Sequence, residues 1–123
     1  MSEISKTILI IEDESDLREF LELRLQCLGY DVIIAKDGQE GLKKAKEEKV
    51  DLIILDLMLP KLPGEAVCKQ IRKDASIGEV PIIMVTGKGQ ASDKVIGKVI
   101  GADSYIVKPF DSSVLASEIK RLI

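Results

Sequence analysis

The sequence predicts an α/β domain: a doubly wound, five-stranded parallel sheet with helices on both faces. Three observations predict it. Five short runs rich in β-branched and aliphatic residues recur along the 123 residues. Each is followed by a stretch with helical spacing of its apolar residues, in strict alternation. Several runs are apolar throughout, as in strands buried on both faces. The usual order for such a sheet is 2-1-3-4-5, with the switch point between the first and third strands.

The first run is Thr7-Ile-Leu-Ile-Ile11. It ends in Glu12-Asp13-Glu14-Ser15-Asp16, and Leu17, Phe20, Leu21, Leu25 and Leu28 then recur as one helix face that Gly29 stops. Capping and the helix dipole account for one or two of the acids. Successive carboxylates at the carboxyl end of a strand repel one another and invite a cation. Asp31–Ala35 is the second strand, Asp37-Gly38 a turn, and Leu42 and Ala45 a modest helix face with lysines and glutamates on its solvated side. The third strand is Leu52-Ile-Ile-Leu55, leading into Asp56 and then Pro60. Ala66, Val67, Cys68 and Ile71 mark a third helix ending near Asp74. Pro81-Ile-Ile-Met-Val-Thr86 is the fourth strand, with proline at its start, where strands tolerate it. Val95, Ile96, Val99 and Ile100 indicate a fourth helix, weakened by the interior Gly97. Ser104-Tyr-Ile-Val107 is a short fifth strand, and Asp111 or Ser112 caps a last helix carrying Leu115, Ile119 and Leu122.

Composition narrows the function. Net charge is −3, which disfavours direct nucleic-acid binding through this domain. No apolar run is long enough to span a bilayer, and the amino-terminal stretch carries an acid and no long apolar region, unlike a signal peptide, so a cytoplasmic location is expected. One domain over residues 1–123 is expected, with no linker. The chain has no histidine, which excludes Ser-His and Cys-His catalysis, His-ligated zinc and a phosphohistidine carrier. Without tryptophan, and with only two tyrosines and two phenylalanines, a stacking platform for bases or flavin is not expected. Cys27 and Cys68 read as small core or half-buried groups rather than a disulfide or metal pair.

Glu12-Asp13, Asp56, Thr86 and Lys108 all follow apolar strands at their carboxyl ends, where open α/β sheets bind ligands. Strand order alone brings Asp13 beside Asp56. Bland readings remain open: Glu12 as a helix-dipole partner, Thr86 as an ordinary strand-end residue, Lys108 as a surface lysine, Tyr105 as edge-strand filler.

The pieces Ile10-Ile-Glu-Asp-Glu14, Leu55-Asp-Leu-Met-Leu-Pro60, Val85-Thr-Gly87 and Gly101-Ala-Asp-Ser-Tyr-Ile-Val-Lys-Pro-Phe110 resemble the receiver domain of two-component response regulators. The resemblance covers essentially the whole chain and implies a flavodoxin-like (βα)5 fold. The strand order given above is the known order of this family's chemotaxis member, so it is not independent of the resemblance. The resemblance implies that Asp56 accepts a phosphoryl group from a phosphohistidine on a sensor histidine kinase or phosphotransfer protein. It implies Mg²⁺ held by Glu12, Asp13, Asp56 and the backbone carbonyl of Met58, with Glu12 acting more often through water. Lys108 and the Thr86 hydroxyl would contact phosphoryl oxygens, with the Gly87 N–H nearby. Such a domain catalyses its own phosphorylation and dephosphorylation without turning over external substrates. The Lys108–Pro109 bond is cis in the family.

Thr86 and Tyr105 would act as the switch, drawing in Gly87–Gln90 and changing the surface of the fourth helix, fifth strand and fifth helix. Val95, Ile96, Val99 and Ile100 are expected to leave apolar surface there for an effector domain or a second copy. Met58 and Lys88 occupy positions that influence dephosphorylation rate in the family. The loop Lys61–Glu65 departs from the commonest form but keeps Gly64. Three rivals remain. A haloacid-dehalogenase-type phosphatase would want an acid where Met58 stands. A flavodoxin-like electron carrier would want a Ser/Thr/Gly-rich loop where Glu-Asp-Glu stands. A phosphorylation-independent pseudo-receiver would not need the intact acids, Thr86 and Lys108.

Overall fold

The computed structural model describes residues 5–87 and 101–123. Its strands are β1 (Thr7–Ile11), β2 (Asp31–Ala35), β3 (Leu52–Asp56), β4 (Ile82–Thr86) and β5 (Ser104–Val107). Its helices are α1 (Ser15–Cys27), α2 (Gly38–Glu47), α3 (Gly64–Lys73) and the C-terminal α4 (Ser112–Leu122). The helix expected around Val95, Ile96, Gly97, Val99 and Ile100, together with Lys88, lies outside the described residues.

All strand pairs are parallel, in the order β2-β1-β3-β4-β5, as expected. β3 and β4 are buried along their whole length, whereas the outer strands β2 and β5 are mostly half-buried. The inner strands are apolar throughout because both of their faces are covered, whereas the outer strand β2 is as apolar but only half-buried. Alternate residues serve opposite layers. Leu9, Ile11, Ile53, Leu55, Ile82 and Met84 face one cluster, which takes Leu42 and Ala45 from α2 and Val67, Cys68 and Ile71 from α3. Ile8, Ile10, Leu52, Ile54, Ile83 and Val85 face the other, which takes Leu21 and Leu25 from α1 and Leu115 and Ile119 from α4.

Local signals set most boundaries. Gly29 adopts φ 97°, the left-handed conformation that ends α1. Asp37, read as a turn residue, caps α2: its Oδ1 accepts the Glu40 N–H at 2.8 Å. Asp111 caps α4 by accepting the Ser113 N–H at 3.0 Å. Gly64 begins α3 against the loop after β3, where a Cβ would collide with the backbone of Asp56 and Leu57. The Lys108–Pro109 bond is cis.

Two expectations need correction on α1. Phe20 and Leu28 are exposed, although their spacing placed them on the buried face. The buried stripe is Arg18, Leu21 and Leu25, a narrow line in which the apolar layer is extended by a charged residue. Cys27 is also exposed rather than part of the core, and both cysteines are free.

The amino-terminal end of the sheet is held by Arg72 of α3. Its Nε donates to the Gly101 carbonyl at 2.9 Å, and its Nη1 to the carbonyls of Gly78 at 3.0 Å and Val80 at 2.6 Å. Its Nη2 donates to Asp103 Oδ2 at 2.8 Å, an oxygen that also accepts the Ile82 N–H at 2.8 Å. One guanidinium thus fixes the entries to β4 and β5. Arg72→Met leaves several half-buried acceptors unmet and is expected to destabilise the fold by about 3 kcal/mol. Urea unfolding checks this, and an unchanged midpoint would contradict it.

Candidate functional site

Register builds the site. Ile11 pairs with Leu55 across β1 and β3, so Glu12 and Asp56 leave the sheet at the same level. Asp56 pairs with Val85, and Thr86 with Val107, so Thr86 and Lys108 follow on the next two strands. Lys108 N–H donates to the Thr86 carbonyl at 2.6 Å, keeping those two ends together. The sheet therefore brings together Glu12, Asp13, Asp56, Thr86 and Lys108 at its carboxyl edge, as expected.

The pocket is acidic and unevenly buried. Glu12 is 2% exposed and Asp56 4%, while Asp13 is exposed. One carboxylate oxygen from each of the three lies within 4.8 Å of the others. Lys108 Nζ bridges the two buried acids, 3.1 Å from Glu12 Oε1 and 3.3 Å from Asp56 Oδ2. The second oxygens are also engaged. Glu12 Oε2 accepts the Glu14 N–H at 3.1 Å, and Asp56 Oδ1 accepts the Met58 N–H at 3.0 Å. Glu12 therefore meets the start of α1 with a side chain that is itself part of the pocket. Glu14, at the N-cap position, makes no side-chain cap of its own.

Met58 presents its N–H to Asp56 and leaves its side chain 61% exposed. Thr86 is fully buried. Tyr105 is half-buried and packs against the cluster that contains Met84.

Burial pushes the Glu12 carboxyl up to about 7, helped by a hydrogen bond and repulsion from Asp56 and opposed by the Glu14 N–H and by Lys108. Burial opposes the charge on Lys108, yet attraction from Asp56 and Glu12 outweighs it and raises its pKa. A single ammonium does not neutralise this pocket. Three oxygen donors at this spacing are hard ligands suited to a small divalent cation that keeps several waters.

Sequence reasoning missed one residue beside the site. Arg18 is 8% exposed, and its Nη1 donates to the backbone carbonyls of Glu12 at 3.0 Å and Asp13 at 3.3 Å. The signal was present: Arg18 stands three residues before Leu21 and seven before Leu25, on the core stripe of α1.

Fold and pocket together define a flavodoxin-like domain with an acidic, lysine-bridged pocket at the switch point of its sheet. Residues 8–120 match the response regulator receiver domain, and the chain belongs to that family. The chain is 46% identical over 120 residues to the alkaline phosphatase synthesis transcriptional regulatory protein PhoP of Bacillus subtilis, covering 98% of this chain and 49% of that protein. It spans about half the length of the curated relatives it matches. Among solved structures, Vibrio cholerae chemotaxis protein CheY4 superposes with a TM-score of 0.91 at 32% identity, covering 98% of this chain and 100% of that one. The receiver domain of sensor histidine kinase PA1611 from Pseudomonas aeruginosa gives 0.89 at 29% identity, covering 97% and 98%. That structure has a magnesium ion coordinated in its active-site cleft. Receiver domains of this family are phosphorylated on an aspartate in two-component signalling, generally bind Mg²⁺ at an acidic pocket, and interact with histidine kinases and effector domains. Among the described residues, no helix is long and apolar enough to cross a membrane.

The raised Glu12 carboxyl has a defined effect on stability. Between about 4.5, its ordinary value, and about 7, the folded chain holds a proton that the unfolded chain has lost. The stability of the metal-free protein therefore falls as pH rises through that window. The depressed Glu118 carboxyl, at about 2, acts below it, where stability is lost as pH falls. Metal-free urea midpoints should decline from pH 5 to pH 7.5, and Glu12→Gln should flatten the decline. A rise over that range would contradict the assignment.

Proposed function

We propose that residues 1–123 form a receiver domain in which Asp56 is the phosphoacceptor. The observation that supports this most is the lysine bridge: Lys108 Nζ lies 3.1 Å from Glu12 Oε1 and 3.3 Å from Asp56 Oδ2 at the carboxyl edge of the sheet. An Asp56 oxygen attacks phosphorus on a phosphohistidine of a sensor kinase or phosphotransfer protein. The new P–O bond forms as the P–N bond to the donor ring breaks; the electron pair returns to that nitrogen, the ring's other nitrogen keeps the proton it already carried, and neutral imidazole leaves. The chain's lack of histidine agrees with a donor on another protein.

Glu12, Asp13, Asp56 and the Met58 carbonyl would hold Mg²⁺, which when bound supplies charge neutralisation for the incoming phosphoryl group. The Met58 N–H already orients Asp56 through Oδ1. Lys108 sits where it can exchange its carboxylate contact for a phosphoryl oxygen. Thr86, at the end of the adjoining strand, would donate its hydroxyl to another such oxygen. The shift would then pass to Tyr105 and the β5–α4 face.

We place the domain in the cytoplasm. The relatives named as transcriptional regulators, about twice as long as this chain, support an effector acting on transcription as the output. The domain itself, with net charge −3, would not be the part that contacts DNA.

Incubation with acetyl phosphate and Mg²⁺ should label the wild-type chain, and Asp56→Asn should abolish the label. Lys108→Ala should keep Asp56 but slow labelling by about a hundredfold, as losing one aligned donor does elsewhere. Persistent labelling of Asp56→Asn would refute the assignment.

A further inference from the structure

We propose that Arg18 is a positioning residue that presets Glu12 and Asp13 for the divalent cation by holding their two backbone carbonyls. The inference rests on the metal reading above and extends it to a residue outside the ligand set.

The geometry is specific. One nitrogen, Nη1, donates to two successive carbonyls, Glu12 at 3.0 Å and Asp13 at 3.3 Å. The Glu12 carbonyl belongs to the Glu12–Asp13 peptide and the Asp13 carbonyl to the Asp13–Glu14 peptide, so one donor holds the two peptide planes that flank the Asp13 Cα. It thereby fixes the direction in which the Asp13 side chain leaves the backbone and holds the carbonyl side of Glu12. Glu12 is also held elsewhere: its N–H donates to the Ala35 carbonyl at 3.1 Å, and its carboxylate contacts Lys108 and the Glu14 N–H. Among the described residues Asp13 has no comparable anchor. Its carboxylate is exposed, and its carbonyl is gripped by Arg18. The residue with the freest side chain thus depends most on the guanidinium behind it.

Burial argues that this grip is more than incidental. An arginine only 8% exposed ordinarily faces a carboxylate, yet Arg18 makes no ion pair among the described residues. Its Nε is buried without a hydrogen-bond partner among the described residues. A methionine or leucine would fill the same stripe above Leu21 and Leu25 at lower desolvation cost. What such a residue could not supply is the donor beneath the Glu12–Asp13 peptide.

The test titrates MgCl₂ into the metal-free full chain and follows amide NMR shifts at Asp13, Glu14 and Asp56, well below the melting temperature of each variant. Arg18→Met is expected to weaken Mg²⁺ affinity about tenfold, the range found when groups orienting a metal's ligands are removed. Arg18→Lys, whose side chain is one bond shorter, should fall between. Arg72→Met, which loosens the opposite end of the sheet, should leave affinity at the wild-type value, so general destabilisation cannot mimic the result. Wild-type affinity in Arg18→Met, or an equal loss in Arg72→Met, would overturn the proposal. If Arg18→Met does not fold, Arg18→Lys decides: weaker binding supports the role, and wild-type binding overturns it. A wild-type chain without Mg²⁺-dependent shifts would instead sink the metal reading, and this inference with it.

Discussion

Carboxylate repulsion at the end of a sheet is the constraint on which the site depends. Two buried acids and one exposed acid share a volume where their oxygens come within 4.8 Å of each other. Left alone, such a group protonates or moves apart. Here the backbone forbids separation, because β1 and β3 are neighbours in fixed register. Lys108 reaches in from β5 and partly balances the charge. The pocket is consequently under electrostatic tension that a divalent cation would relieve.

The sheet separates stability from chemistry along its strands. At the amino end, Arg72 and Asp103 satisfy carbonyls and an amide and pin the strand entries. At the carboxyl end, polar groups are held in mutual conflict. The two layers of aliphatic side chains between them are close to fully buried and leave little room for adjustment. A rigid middle lets a change at one edge act on loops and helix ends rather than dissipate through the core. Arg18 belongs to the second category despite its burial, since its partners are the carbonyls of the acids.

Much of this was legible in the sequence because the physics was local or topological. Leu52–Leu55 read as a doubly buried strand from its lack of alternation, and strand order then placed Asp13 beside Asp56. Asp37 was legible as a local signal but was read as a turn rather than the cap it is, because Asx residues serve both. Phe20 and Leu28 misled because helical spacing gives a face but not its width. Arg18 was missed because a charged side chain is assumed to be solvated. Only the fold shows that its stem joins the α1 stripe while its head turns to two carbonyls. The Arg72–Asp103 contact joins positions 31 residues apart and has no local signature.

Under the proposed function, the Asp56 carboxylate alone becomes a mixed anhydride with phosphate. Borohydride reduces an acyl phosphate to the alcohol, converting an aspartate so modified into homoserine. The chain treated with acetyl phosphate and Mg²⁺, reduced and then mapped by peptide mass spectrometry should carry homoserine at position 56 alone. Homoserine at position 13, or a reduced glutamate at position 12, with position 56 intact would contradict the account.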